Sequence, residues 1–147
     1  MNIFGINQRE LQAQEDDADS LVFEMVAETA SAKKAWVAQL EMMMEREADK
    51  DTRETLRQLR LDELKHIRIL GGLPGSAGVI AASAQAARPE NIIGYSRAAK
   101  LKLKSAEFVR RVYYNFPDTP TRDSLFEIIC DDTNNAIRFA LLSSERM

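Results

Sequence analysis

The sequence predicts an all-α protein, and more specifically an antiparallel four-helix bundle built from two helical hairpins and a long crossover. Apolar residues recur at steps of three and four along four segments, at about 20–46, 51–70, 91–116 and 120–145. No segment alternates apolar and polar residues as a half-buried strand does. The chain has 147 residues with only four Pro and six Gly, which is typical of a single helical domain over 1–147.

The first predicted helix, at about 20–46, follows a polar lead-in over 8–19 that we expect to fray. Its main stripe consists of Leu21, Met25, Glu28, Ala32, Ala35, Gln39 and Met42. A neighbouring stripe of Phe23, Val26, Ala30, Val37 and Leu40 widens the apolar face. We therefore expect Glu28 to lie on the buried side of this helix, in preference to Glu24 one turn earlier.

The second predicted helix, at about 51–70, completes the first hairpin. Asp51 and Glu54 have the spacing of a capping pair, and Gly71-Gly72 is a typical helix stop. Its stripe consists of Leu56, Leu59, Glu63, His66 and Leu70. Two polar residues three positions apart therefore share an otherwise apolar face.

The second hairpin follows a connection of small residues at about 71–90, where a helical turn is expected over 81–87. The third helix is predicted to begin near Pro89–Asn91, and the fourth is predicted to begin with Thr119 as cap and Pro120 in its first turn. The third stripe is Tyr95, Ala99, Lys102, Ala106, Val109, Tyr113 and Phe116. The fourth is Leu125, Ile128, Asp132, Asn135, Phe139 and Leu142.

Composition excludes several functional classes. Lys and Arg number 20 against 23 Asp and Glu, so the net charge of −3 disfavours nucleic acid as a partner. The chain has one Cys and one His, so any metal must be held mainly by carboxylates. Because we find no signal peptide and no apolar stretch long enough to span a bilayer, we expect a cytoplasmic protein without a membrane partner.

Six polar residues interrupt the apolar stripes, and they come from all four predicted helices. They are Glu28, Glu63, His66, Lys102, Asp132 and Asn135. Burying an unpaired charge is costly, so these groups must meet one another, a ligand or water. The two hairpins also repeat, because the spacing from Glu63 to Asp132 equals the spacing from His66 to Asn135, whereas the spacing from Glu28 to Lys102 is slightly longer.

Glu28 followed by Asp62-Glu63-Leu64-Lys65-His66 resembles the half-site of ferritin-like, rubrerythrin-type di-metal carboxylate proteins. The resemblance covers about residues 20–145. It implies a bundle in which each hairpin supplies a Glu and a Glu-x-x-His, and in which these groups hold two iron or manganese ions. It also implies a homodimer.

The second half-site departs from the family pattern at three positions. Lys102 stands where the family has Glu, Asp132 replaces Glu, and Asn135 replaces His. A protonated lysine cannot ligate a metal, but it can neutralise neighbouring carboxylates. The hypothesis is that the Lys102 ammonium has taken over the electrostatic role of a metal. The alternative is that Lys102 reaches solvent along its methylenes.

Two functions remain open at this stage. In the first, the metal centre is degenerate and the protein has a structural or partner-binding role, with no metal if Lys102 replaces it. In the second, one iron or manganese ion on Glu28, Glu63 and His66, with Asp132 as a further ligand, supports an oxidoreductase acting on oxygen or peroxide. The position of Lys102 discriminates between these functions.

Overall fold

The computed structural model describes residues 7–76, 86 and 88–146, with only the backbone described for 11–20. This part of the chain contains four helices and no strand. They are α1 (Gln8–Arg46), α2 (Lys50–Gly71), α3 (Tyr95–Tyr114) and α4 (Thr119–Glu145). The prediction of an all-α protein is confirmed.

Helix α1 begins at Gln8, at the start of the polar lead-in that was expected to fray. Asn7 caps it: its side chain accepts a hydrogen bond from the Glu10 amide (2.9 Å), and the Glu10 carboxylate accepts one from the Asn7 amide (3.2 Å). This reciprocal capping satisfies two backbone donors that the helix itself leaves unpaired. A stable start at Asn7 explains why the polar residues after it are helical.

Helices α2 and α4 begin with aspartate caps that differ from the predicted ones. Asp49, not Asp51, caps α2 by accepting from the amide and hydroxyl of Thr52, both at 2.8 Å. Asp118, not Thr119, caps α4 by accepting from the Thr121 amide at 3.0 Å. A carboxylate at this position also interacts favourably with the positive end of the helix dipole.

Helix α3 begins at Tyr95, later than the predicted Pro89–Asn91. The amide of the buried Gln39 donates to the Asn91 carbonyl (3.2 Å) and accepts from the Ile93 amide (3.4 Å). These bonds occupy backbone groups that a helix would otherwise use. The predicted end of α2 at Gly71-Gly72 is confirmed, while the turn predicted over 81–87 lies outside the described residues except for Ala86.

The helices pack in two close pairs, α1 with α2 and α3 with α4, and the pairs meet through α2–α4 and α1–α3 contacts. One apolar cluster contains Val26, Ala30, Leu70, Leu73, Ala106, Val109, Val112, Phe116, Leu125, Ile128 and Ile129. A second contains Trp36, Leu40, Met43, Leu56, Leu59, Ala98, Phe139 and Leu142. Each helix passes from one cluster to the other, and its polar core residues lie between them. No helix of the described chain is both long and apolar enough to cross a bilayer.

The main stripe predicted for α1 is buried only near its C-terminal end, at Gln39 and Met42. Leu21, Glu28, Ala32 and Ala35 are exposed, whereas Val26, Ala30 and Leu40 of the neighbouring stripe are fully buried. Lys33 continues this buried stripe at helical spacing from Ala30. The core face of α1 is therefore rotated relative to the prediction, because Ala and Met residues give the two faces similar hydropathy.

Candidate metal centre

Six polar side chains from four helices meet between the two apolar clusters, and we call them the buried ion cluster. None is more than 1% exposed. They are Lys33 from α1, Glu63 and His66 from α2, Lys102 from α3, and Asp132 and Asn135 from α4. The i, i+3 spacing places both members of each pair from α2 and α4 on one helix face.

Two lysines and two carboxylates form the centre of the cluster. Lys33 Nζ lies 2.5 Å from Asp132 Oδ1 and 3.5 Å from Glu63 Oε2. Lys102 Nζ donates to Glu63 Oε1 and lies 3.6 Å from Asp132 Oδ1. Each ammonium therefore contacts both carboxylates, which is the arrangement that best offsets the cost of burying four charges.

Two further contacts fix the outer side of this ionic group. Lys102 Nζ lies 4.3 Å from the centre of the Trp36 ring, within the range of a cation–π interaction. The Ser105 hydroxyl donates to Asp132 Oδ2 at 2.8 Å. Lys102 thus has a carboxylate on one side and an aromatic face on the other, and it does not reach solvent as the alternative prediction required.

His66 is oriented by a carboxylate from the other hairpin. Its Nε2 lies 2.9 Å from Asp131 Oδ2, which in turn lies 2.7 Å from Lys65 Nζ. Burial, with repulsion from Lys33, lowers the pKa of His66, so the ring is neutral at pH 7. The Nε2–H then donates to Asp131, and Nδ1 carries the free lone pair toward the cluster.

A contact of the same kind runs from the second hairpin to the first. Asn135 Nδ2 donates to Asp62 Oδ2 at 3.2 Å, as His66 contacts Asp131. The spacing from Asp62 to Asp131 equals the spacing from His66 to Asn135, so the contact repeats with the sequence interval. Each hairpin therefore supplies an aspartate that orients the polar residue of the other.

Charged side chains within the buried ion cluster shift one another's pKa values. Burial by itself raises the pKa of Asp132, but the ammoniums of Lys33 and Lys102 outweigh this effect and the pKa is lowered. Burial and repulsion by Lys33 lower the pKa of Lys102, against the attraction of Glu63 and Asp132. With both ammoniums and both carboxylates ionised and His66 neutral, the formal charge of the cluster is zero.

Two buried acceptor atoms remain without a hydrogen-bond partner in the described part of the chain. They are Glu63 Oε2 and His66 Nδ1. Glu63, His66 and Asp132 each offer one ligand atom, and these atoms lie within 4.8 Å of one another. This group could therefore hold a metal ion, and its oxygen and imidazole donors suit iron, manganese or zinc.

Sequence reasoning missed Lys33 and assigned its place to Glu28. Glu28 is exposed and does not join the cluster, and the competing carboxylate Glu24 is exposed as well. The spacing between the two halves of the sequence could have identified Lys33. The spacing from Lys33 to Lys102 equals the spacing from Glu63 to Asp132. The spacing from Glu28 to Lys102 is longer, which indicated that Glu28 is not the residue of α1 equivalent to Lys102.

Each helix pair therefore contributes one buried lysine to the cluster, Lys33 from α1 and Lys102 from α3. Comparison with known protein families, curated proteins and solved structures finds no match for this chain.

Proposed function

We propose that this protein is an antiparallel four-helix bundle of ferritin-like architecture in which two lysine ammoniums replace two metal cations. Its role is structural or partner-binding, and it is not a dinuclear oxidase. We place it in the cytoplasm as a homodimer, without a nucleic-acid or membrane partner. The resemblance of Asp62-Glu63-Leu64-Lys65-His66 to the family half-site supports the architecture.

The observation that carries this proposal is the pairing of Lys33 with Asp132 and of Lys102 with Glu63, with all four side chains buried from solvent. A di-metal site collects carboxylates so that two cations are neutralised. Here two lysine side chains already contact both carboxylates. Unit charges 4 Å apart repel by about 4 kcal/mol at the effective dielectric constant of a protein site, so a dication beside two ammoniums meets a large penalty.

Metal analysis of the purified protein tests the proposal. After expression in medium supplemented with iron and manganese, we expect far less than one equivalent of either metal per chain. The triple variant Lys33→Glu, Lys102→Glu, Asn135→His gives each hairpin two carboxylates and a histidine, with Asp132 kept as the shorter carboxylate, and we expect it to gain metal and to be stabilised by it. Lys50→Glu is the matched control, because Lys50 is exposed and lies at the start of α2.

Two results would contradict the proposal. One is stoichiometric iron or manganese in the wild-type protein. The other is a triple variant that folds, as judged by circular dichroism, but whose melting temperature does not respond to added Mn²⁺.

A metal-dependent oxidoreductase is the second candidate, favoured by the two buried atoms Glu63 Oε2 and His66 Nδ1, which accept no hydrogen bond from a described residue. One iron or manganese ion on Glu63, His66 and Asp132 would supply redox chemistry toward oxygen or peroxide. Asp131 would keep Nδ1 of His66 available by accepting a hydrogen bond from Nε2–H. Lys33 and Lys102 would have to leave the carboxylates or lose their protons. Oxygen or peroxide consumption by the iron- or manganese-loaded wild-type protein, abolished in His66→Gln, would favour this function.

A further inference from the structure

The exposed side of α3 carries cations without acidic partners. Six of the 20 residues of α3 are Lys or Arg and one is acidic, although the whole chain has a net charge of −3. Five of these cations are exposed, and none forms an ion pair with a described residue: Arg97, Lys100, Lys104, Arg110 and Arg111. Elsewhere in the described chain, exposed cations such as Arg57, Arg88 and Arg146 pair with glutamates, whereas Arg46, Lys50 and Arg68 form no ion pair.

The neighbouring helix α1 has the opposite charge in its first half. Residues 8–28 contain seven acidic residues and a single cation, Arg9. Among those with described side chains, Glu24 and Glu28 are exposed and form no ion pair within the described chain. Glu28, the last residue of this acidic stretch, lines a groove that Lys104 of α3 also lines.

An apolar groove of about 460 Å³ separates these two helices. Ala32 and Ala35 line its α1 side, Leu101 and Phe108 line its α3 side, and Trp36 contributes to its lining. Its charged lining residues include Glu28 and Lys104, one from each helix. The groove is open because the exposed α1 stripe has small side chains that do not fill the space to α3.

This exposed α1 stripe is the one whose periodicity led to the incorrect prediction of the buried face. Leu21 is 57% exposed, and Ala32 and Ala35 are also exposed. An apolar stripe beside a groove, flanked by charges of opposite sign, has the composition of an association surface with an apolar centre and a polar rim.

We propose that the α1/α3 face binds a second copy of this chain in an isologous dimer. A two-fold axis through the groove places α1 of each copy against α3 of the other. Acidic α1 residues such as Glu28 then meet basic α3 residues such as Lys104 twice, and the small side chains Ala32 and Ala35 allow close approach. The proposal deepens the homodimer assigned under the proposed function and names its surface.

The size of the face is near the lower end of what dimer interfaces use. From Leu21 to Gln39 α1 rises about 27 Å, and two adjacent helices are about 20 Å wide. The projected area is roughly 500 Å² on these helix dimensions, and the accessible area of a rough surface is larger. A standard interface buries about 800 Å² per partner.

Sedimentation velocity on the full chain tests this proposal, with circular dichroism to verify folding. We expect a wild-type dimer at micromolar concentration whose dissociation constant rises at least tenfold between 50 and 500 mM NaCl. Ala35→Arg places a large charge in the groove of both copies, and we expect a monomer. Since Ala35 is exposed on a helix and Arg favours helices, this variant should fold.

Exchanging the charges of Glu28 and Lys104 tests whether these residues pair across the dimer. Lys104→Glu should weaken the dimer at least tenfold, and Glu28→Lys combined with Lys104→Glu should restore it. Lys50→Glu changes the net charge by the same amount as Lys104→Glu but lies on α2, so we expect no effect.

The proposal is overturned by a monomeric wild-type protein at 100 µM in 50 mM NaCl. It is also overturned by a dimer that Ala35→Arg leaves intact, or by a double variant that remains as weak as Lys104→Glu. Binding of a labelled single-stranded DNA by a monomeric wild type would assign the α3 cations to an anionic polymer instead. None of these results depends on metal content, so a failure here is distinct from a failure of the proposed function.

Discussion

At the scale of single residues, Lys33 and Lys102 bring positive charge into the centre of the protein without solvent to hydrate it. Such groups are tolerated only when paired, and removing one partner of a buried pair costs about 3–5 kcal/mol because the other charge is left uncompensated. The cluster is therefore a strong constraint on which helices must pack together, since all four contribute to it.

The first prediction concerns Lys33. Lys33→Met keeps much of the side-chain volume but removes the ammonium that contacts Asp132, so we expect a loss of about 3–5 kcal/mol in the free energy of unfolding. Adding Asp132→Asn leaves one lysine and one carboxylate, Lys102 and Glu63, in contact, and should recover a large part of the loss. Urea unfolding measures both. Lys50→Met, at an exposed position, should change stability by less than about 0.5 kcal/mol; equal losses for Lys33→Met and Lys50→Met would contradict the assigned role of Lys33.

The residues of the cluster differ in how far the sequence could predict them. Glu63, His66 and Lys102 interrupt strong Leu- and Val-containing stripes, so their position on a buried face follows from periodicity. Lys33 is followed by Lys34 and stands among alanines, where periodicity hardly distinguishes one helix face from the next. Its contact with Asp132 depends on how α1 is rotated against α4, which local patterns do not contain.

At the scale of the elements, the presence of the four helices and the end of α2 were predictable, whereas the helix starts and their caps were not. The apolar periods identify all four helices, but the caps depend on which of several nearby polar residues captures the free backbone amides. Asp49, and not Asp51, caps α2 because its carboxylate accepts hydrogen bonds from both the amide and the hydroxyl of Thr52. The late start of α3 depends on Gln39, a residue of α1 that is far from Ile93 in sequence.

The turn after α2 provides the second prediction. Gly75 has φ of 75°, and a Cβ at this position would lie 2.8 Å from the Phe23 ring. Gly75→Ala therefore combines left-handed backbone strain of about 1–2 kcal/mol with a steric conflict. We expect thermal unfolding to show a loss of at least about 1 kcal/mol. Gly94→Ala is the control, because no atom lies within 4 Å of its added Cβ; a Gly75→Ala variant as stable as Gly94→Ala would show that this turn does not pack on Phe23.

The third prediction is a pH dependence at the start of α3. The Tyr95 hydroxyl donates to Glu47 Oε2 at 2.8 Å, and Arg146 also donates to that oxygen. Burial and the hydrogen bond to Glu47 raise the pKa of Tyr95 from 10.0 to about 12. Because the unfolded chain loses this proton first, the stabilisation is fully present below pH 10 and is lost as the pH rises to about 12.

Urea unfolding between pH 9 and 12 measures this effect. Tyr95→Phe should reduce the slope of stability against pH in this window. Tyr114→Phe, at a 68% exposed position, should leave the slope as in the wild type. Identical slopes for all three proteins would contradict the Tyr95–Glu47 link between α3 and the α1–α2 connection.

At the scale of the whole molecule, the two hairpins are related by one constant sequence interval. The interval joins Lys33 to Lys102, Glu63 to Asp132 and His66 to Asn135, and it also joins the two aspartates that orient His66 and Asn135. The sequence predicted the hairpins and most of this pattern. The equivalence of the two lysines became evident only once the packing of α1 was known.

The central claim is that two ammoniums provide the positive charge at the centre of this protein. Anomalous diffraction at the iron and manganese edges, from crystals of protein purified without chelator, tests it most directly. We predict no anomalous peak between Glu63 and His66, and electron density for Lys33 and Lys102 continuous to ammonium groups in contact with Asp132 and Glu63. An anomalous peak within about 2.5 Å of Glu63 Oε2 and His66 Nδ1, the range of metal–ligand bonds, with either lysine displaced, would contradict the claim.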